Sequence, residues 1–172
     1  MPFTPRGITI HYTAGGTAHS SMDYLRKETQ LRYHFVIDRD GSIYQMVNLD
    51  SSVSHAGSSR WNCKSVNKSH VAIAIASYGF LTIQDGKFFT AYNQEIDKSR
   101  VVYRQEGHWE GATYQQELAL ERICRFLMRN FMIYADDICG HAEADPRRKI
   151  DPGGILSYTM SEFRERMDQG ST

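Results

Sequence analysis

Apolar and polar positions alternate along this chain in two distinct rhythms. Over residues 7–16, Ile8 and Ile10 alternate with Thr9 and His11, which predicts a strand ending at Gly15-Gly16. A short helix is expected over 20–27, with Ser20 or Ser21 as N-cap and Met22 and Leu25 inward. Residues 32–47 read as a hairpin: a strand over 33–37, a tight turn at Asp40-Gly41 and a return strand over 43–47. In that first strand Tyr33 and Phe35 face one way, His34 and Val36 the other. Residues 50–69 are rich in Ser, Gly and Asn, and their length marks a functional or mobile loop. Residues 71–76 are apolar throughout, as in a strand buried on both faces. No clear period emerges over 80–109, where Phe88, Phe89 and Tyr92 either cover the core or wall a cleft. The strongest helix spans 113–132, with Thr113 as N-cap. Its buried face is Leu120, Ile123, Cys124, Leu127 and Phe131. Ile138-Cys139 reads as a short strand running into Gly140-His141, and a last helix is expected over 159–167 with Phe163 and Met167 inward. This order predicts an α/β fold: a single domain with a central mixed β-sheet flanked by α-helices.

Length and charge narrow the function classes. A chain of 172 residues supports one domain with a substantial core. Formal net charge is zero, so no basic field recommends a nucleic-acid partner. No apolar run reaches membrane-spanning length, so no membrane insertion is expected. Residues 1–6 lack the basic and apolar regions of a signal peptide, which predicts a cytoplasmic protein in the producing cell. Three cysteines, at 63, 124 and 139, have neither metal-binding nor redox spacing, and Cys124 and Cys139 read as buried apolar residues. A monomer is expected.

The chemistry concentrates in residues 138–154. His141, Lys149 and Asp151 share a short loop stiffened by Gly140, Pro146, Pro152, Gly153 and Gly154. His11 and His141 each sit where an apolar strand gives way to glycine. If those strands are neighbours, both imidazoles converge on one edge of the sheet. Two histidines and one carboxylate, Asp151, make the usual ligand set of a catalytic zinc ion. His34 and His55 compete as further ligands. If residues 149–151 are extended, Lys149 and Asp151 point the same way. A lysine beside a metal is repelled unless it meets negative charge on a substrate, as on a tetrahedral intermediate. The alternative is a surface pair of Lys149 with Asp151 or Glu143, worth little.

Four segments in order carry a family resemblance: Ile-His-Tyr-Thr-Ala-Gly at 10–15, Tyr-His-Phe-Val-Ile-Asp-Arg-Asp-Gly at 33–41, His-Ala-Gly at 55–57, and Gly-His followed by Arg-Lys-Ile-Asp-Pro-Gly within 140–153. Together, over about residues 7–156, they closely resemble the type 2 N-acetylmuramoyl-L-alanine amidases, which include bacteriophage endolysins, wall-recycling amidases and peptidoglycan recognition proteins. The resemblance implies a zinc hydrolase that cuts the amide between N-acetylmuramic acid and L-alanine, with peptidoglycan or a muropeptide as partner. It implies His11, His141 and Asp151 as ligands of one Zn2+, Lys149 as oxyanion stabiliser and Tyr33 beside the attacking water. His55 and Thr13 are expected to contact substrate, and His34 to be packed and hydrogen-bonded. Recycling members carry a glutamate on the strand matching 71–76, at a position that here reads as Ala74. That departure favours the endolysin type, whereas the lack of a separate wall-binding domain fits either a phage of a Gram-negative host or a cytosolic enzyme. A recycling amidase acting on anhydro-muropeptides and a non-catalytic recognition module are the alternative readings.

Overall fold

Ile8 and Ile10 are fully buried in strand β1 (Gly7–Tyr12) of the computed structural model, which describes residues 3–169. Helix α1 (Ala18–Glu28) follows, then the hairpin β2 (Phe35–Ile37) and β3 (Ile43–Gln45). The polar stretch holds a ribbon, β4 (Arg60–Trp61) with β5 (Lys64–Ser65), and one helical turn, α2 (Val66–Ser69). Strand β6 (His70–Ile75) is buried at every position. Five short strands succeed it: β7 (Phe80–Gln84), β8 (Lys87–Phe89), β9 (Glu95–Ile96), β10 (Val101–Arg104) and β11 (Gly107–Glu110). Helix α3 (Tyr114–Phe131), strand β12 (Ile138–Gly140), helix α4 (His141–Ala144) and helix α5 (Met160–Gln169) complete the order.

The central sheet runs β12-β1-β6-β2-β3 and is mixed. Pairings β12–β1, β1–β6 and β6–β2 are parallel, and β2–β3 is antiparallel. Ile8, Ile10, Ile73, Ile75, Phe35 and Ile37 join Leu120, Cys124 and Leu127 of α3 and Phe163 and Met167 of α5 in the main core. Burying one such large side chain contributes about 1.5–3 kcal/mol. Val36 packs with Ala18 and Met22 of α1 in a separate cluster. Period-two alternation puts His11 on the opposite face from Ile10, away from the main core. Among the described residues no helix is long and apolar enough to cross a membrane.

Several boundaries differ from the sequence expectation. Helix α1 starts at Ala18 because the Thr17 side chain accepts from the Ser20 amide, at 3.2 Å. Ser20 and Ser21 instead lie inside the first turn, their hydroxyls donating back to the Thr17 carbonyl. Both hairpin strands are shorter than expected, so Tyr33 and His34 precede β2. The turn between them places Gly41 at φ +86°, where glycine is the favoured residue. Residues 80–109 build a second, antiparallel sheet in the order β10-β11-β7-β8-β9. Helix α3 has the expected Thr113 cap, completed by Gln116 into a capping box. The last helix begins one residue later than expected and runs to Gln169. Cys124 and Cys139 are buried free thiols, and burial pushes Cys139 up to about 12.

The first residue of β6 is a buried histidine, His70. The Thr9 hydroxyl is 2.9 Å from its Nδ1, and its Nε2 has no hydrogen-bond partner among the described residues. Burial lowers its pKa from 6.5 to about 4. Below pH 6.5 the unfolded chain takes up this proton while the folded chain resists until about pH 4. The stabilisation is therefore present above 6.5 and is lost as pH falls through 4. Between pH 7 and 4.5 this one group is expected to remove roughly 2–3 kcal/mol. Urea denaturation of wild type and His70→Asn at both pH values checks it. The variant should lose less stability on acidification, and equal losses would contradict the assignment.

Candidate active site

Parallel pairing sets Ile10 opposite Gly140. His11 and His141 therefore leave adjacent strands at the same carboxyl end, where open sheets place their sites. Asp151 returns to them because the Ala142 amide donates to the Asp151 carbonyl at 2.7 Å. Behind Asp151, Gly153 (φ +53°) and Gly154 lie flat against the Trp109 indole of β11. A Cβ on Gly153 would stand 2.3 Å from Trp109 Cη2, so no side chain fits there. The Trp109 N–H donates to the Arg104 carbonyl at 2.8 Å. The second sheet thus buttresses the loop that carries Asp151.

Three candidate ligands converge. Asp151 Oδ2 lies 2.8 Å from His11 Nδ1 and 3.1 Å from His141 Nδ1. One ligand atom from each residue falls within 4.8 Å of the others. Side-chain exposure is 1% for His11, 3% for His141 and 13% for Asp151, so these groups are largely shielded from water. Burial lowers the His11 pKa, against the opposing hydrogen bond and charge of Asp151. Burial alone would raise the Asp151 carboxyl. The hydrogen bonds with His11 and His141 outweigh it and hold the group well below the usual carboxylate range. A neutral imidazole and an ionised carboxylate are the protonation states a metal ligand needs. Two imidazole nitrogens and one carboxylate oxygen, compactly grouped, fit zinc.

The ligands sit at the base of a cleft of about 330 Å³, whose walls include Tyr33, Lys149, Thr13, His55 and Arg148. The Tyr33 ring lies 5.2 Å from the His11 ring. Burial, helped by the Asp151 charge, pushes its phenol well above the ordinary range. Lys149 is held through its amide, which donates to the Asp145 carbonyl at 3.1 Å. Among the described residues it has no ion-pair partner. Glu143 pairs with Arg164 instead, at 2.8 Å, and Asp151 faces the two histidines. Thr13 Oγ1 accepts from the Gly15 amide at 3.2 Å and stands at the rim.

The structure separates the remaining histidines. His34 lies away from the ligands: its Nδ1 accepts from the Ala72 amide at 2.9 Å and its Nε2 donates to the Ser51 carbonyl at 3.0 Å. His55 is 4% exposed and sits behind His11, with its Nδ1 2.9 Å from His11 Nε2. His11 is in register with Ala74, which is fully buried, so β6 offers a methyl group there. Ser59, whose Oγ is 3.3 Å from His141 Nε2, had no signal in the sequence beyond its place in a long polar loop. Trp109 was hidden in the stretch without periodicity.

The N-acetylmuramoyl-L-alanine amidase family profile matches residues 2–154. No curated protein sequence matches the chain. Among solved structures, the N-acetylmuramyl-L-alanine amidase AmiD from E. coli, in complex with anhydro-N-acetylmuramic acid-L-Ala-D-γ-Glu-L-Lys, superposes with a TM-score of 0.72 at 20% identity. That match covers 95% of this chain and 57% of AmiD. AmpDh3 from Pseudomonas aeruginosa, with an anhydromuramic pentapeptide, gives 0.69 at 18% identity, covering 95% of this chain and 60% of AmpDh3. The endolysin amidase LysCS from Clostridium intestinale gives 0.64 at 22% identity, covering 96% and 85%. This chain therefore spans less than two thirds of the first two relatives, and at these identities the superpositions establish a shared fold. With the profile match over nearly the whole chain, the chain belongs to the N-acetylmuramoyl-L-alanine amidase family.

Proposed function

We propose that the chain is a zinc-dependent amidase that hydrolyses the bond between N-acetylmuramic acid and L-alanine in peptidoglycan, and that it is of the endolysin type. The observation that carries this reading is the convergence of His11, His141 and Asp151 beneath a cleft walled by Lys149 and Tyr33. His11, His141 and Asp151 would hold the ion. When bound, zinc supplies Lewis acidity to the scissile carbonyl and makes water a competent nucleophile near neutral pH.

The protein groups do the rest. Lys149 meets the negative charge that develops on the carbonyl oxygen as it becomes tetrahedral. Tyr33 keeps its proton at neutral pH, so its hydroxyl donates a hydrogen bond that orients the attacking water, rather than serving as a base. Thr13 at the rim contacts substrate. Replacing Lys149 with alanine is expected to lower kcat/KM by about 10²–10³, a loss typical of one oxyanion donor. Zinc content should be unchanged, which metal analysis of the same sample checks.

Two features favour a polymeric substrate. Through Thr13, Ala14, Leu31 and Tyr33 the cleft continues into a pocket of about 460 Å³ that reaches Tyr24 and Tyr92. Through Lys149 and Ile150 it continues the other way, towards Phe80, Gln105 and Trp109. Room on both sides suits a glycan strand and a stem peptide extending from the cut bond. Ala74 beside His11 supports the endolysin reading over the recycling one. Turnover on purified Gram-negative sacculi, compared with soluble anhydro-muropeptides, tests this. An endolysin cuts the polymer. Preference for the small fragments would move the assignment to a recycling enzyme, and binding without turnover to a recognition module.

A further inference from the structure

The outer nitrogens of both candidate histidine ligands are tied to one loop. His11 Nε2 meets His55 Nδ1 at 2.9 Å, and His55 Nε2 faces the Val66 carbonyl at 3.4 Å. His141 Nε2 faces Ser59 Oγ at 3.3 Å, and that hydroxyl lies 2.5 Å from the Ala56 carbonyl. The loop is itself fixed. Asn67 Oδ1 accepts from the amides of His55 and Ala56, at 3.0 and 2.9 Å, and Asn67 Nδ2 donates to the Gly57 carbonyl at 2.9 Å.

These chains have a direction because each ends on a backbone carbonyl, which can only accept. His55 must carry its proton on Nε2 to meet Val66. Its Nδ1 is then an acceptor, so His11 must donate from Nε2. A neutral His11 then keeps a lone pair on Nδ1, 2.8 Å from the Asp151 carboxylate, an arrangement that needs a cation between the two; without one, His11 Nδ1 donates to Asp151. The same logic holds for His141. The single Ser59 proton goes to the short contact with Ala56, so Ser59 Oγ accepts from His141 Nε2–H and His141 Nδ1 also keeps its lone pair. With protons on both Nδ1 atoms, His11 and His141 donate to the Asp151 carboxylate and the His55 lone pair faces the Val66 oxygen; a cation that takes the place of those two protons sets both chains in the direction that ends on the carbonyls.

We propose that His55 and Ser59 are positioning residues that place the ligand protons on Nε2 and so aim the Nδ1 lone pairs of His11 and His141 at the metal. The proposal rests on the zinc reading of His11, His141 and Asp151. The long polar loop then serves to hold two imidazoles in their metal-binding tautomer.

The test compares wild type, His55→Asn and His55→Leu. The asparagine Oδ1 stands near the position of the histidine Nδ1 and can accept in its place, whereas leucine cannot accept at all. Two measurements are made: zinc affinity by competition with a chromophoric chelator, and the tautomer of His55 by ¹⁵N-resolved NMR of the zinc-loaded wild type. The zinc-loaded wild type should show the Nε2–H tautomer at His55, and His55→Asn should bind zinc within about threefold of wild type. His55→Leu should weaken zinc by about 10–100-fold, the usual loss for a partner behind a ligand. Ser59→Ala, behind His141, should weaken zinc in the same way. Equal zinc affinity in His55→Leu and wild type would overturn the proposal. So would an asparagine variant as impaired as the leucine one, since packing alone would then explain both. An Nδ1–H tautomer at His55 in zinc-loaded wild type would also overturn it. A wild-type chain that binds no zinc would instead sink the metal reading on which the proposal rests.

Discussion

Asp151→Asn is expected to abolish the rise in melting temperature that zinc gives the wild-type chain. Asp151 is the one anionic ligand, and its Oδ2 joins the two imidazole nitrogens. Asparagine keeps the size of the side chain and removes the charge, so the metal-free fold should remain. Zinc affinity should fall by more than about 100-fold, beyond the range for residues behind the ligands. With zinc at 100 times its dissociation constant, binding stabilises the wild type by about 2.7 kcal/mol. For a domain of this length that raises Tm by roughly 5–10 °C. The variant should show almost none of this rise and no amidase turnover. An equal rise in both proteins would place the metal elsewhere.

Removing Glu110 is expected to have the largest effect on stability. Its carboxylate is fully buried and accepts from Arg100, with Arg39 Nη1 at 3.6 Å and the Tyr78 amide at 2.6 Å. Burial pushes the Arg39 guanidinium down, and Glu110 is the main opposing charge. Alanine at this position leaves the Arg100 guanidinium and the Tyr78 amide without their acceptor and Arg39 without the charge it faces. Breaking a buried pair from one side costs about 3–5 kcal/mol. That is a large part of the roughly 5–15 kcal/mol that holds a domain together. Urea denaturation should show the loss as a lower midpoint, and Glu110→Gln, which can still accept from Tyr78, should lose less. A midpoint unchanged in the alanine variant would contradict this role for the carboxylate. Because Glu110 ends β11, the strand that also carries Trp109, the same variant should loosen the support behind Asp151.

The contrast between these two residues shows what the sequence makes legible. Asp151 could be found because its loop carries glycine and proline at fixed places and follows a histidine at a strand end. The central sheet could be found because β1 alternates cleanly and β6 is apolar throughout. Helix α3 declared itself through its spacing and its Thr113 cap. Glu110 and Trp109 gave no such signal. Their sheet is built of strands of two to five residues, exposed at many positions, so neither alternation nor length stands out. A buried glutamate looks like any surface glutamate until its arginines are placed, and those come from residues 39 and 100.

The site follows the same division. His11 and His141 were legible as strand-end histidines, but their meeting depends on the parallel pairing of β1 with β12, which no local pattern specifies. His55 was legible as a histidine of interest within a His-Ala-Gly segment. Its place behind His11, facing Val66, comes only from the folded loop. Ser59 was one serine among many. Register also gives Ala74 its meaning, since it stands directly beside His11.

A chain that hydrolyses the muramyl–L-alanine amide with a metal held by His11, His141 and Asp151 must lose that activity with the metal. The most direct measurement is the release of free L-alanine amino groups from purified peptidoglycan by the zinc-loaded, the chelator-stripped and the zinc-restored protein. Release by the first, none by the second and recovery in the third is the expected result. Undiminished release after complete removal of the metal would contradict it, as would a chain that binds one zinc ion yet frees no amino groups from either polymer or soluble muropeptide.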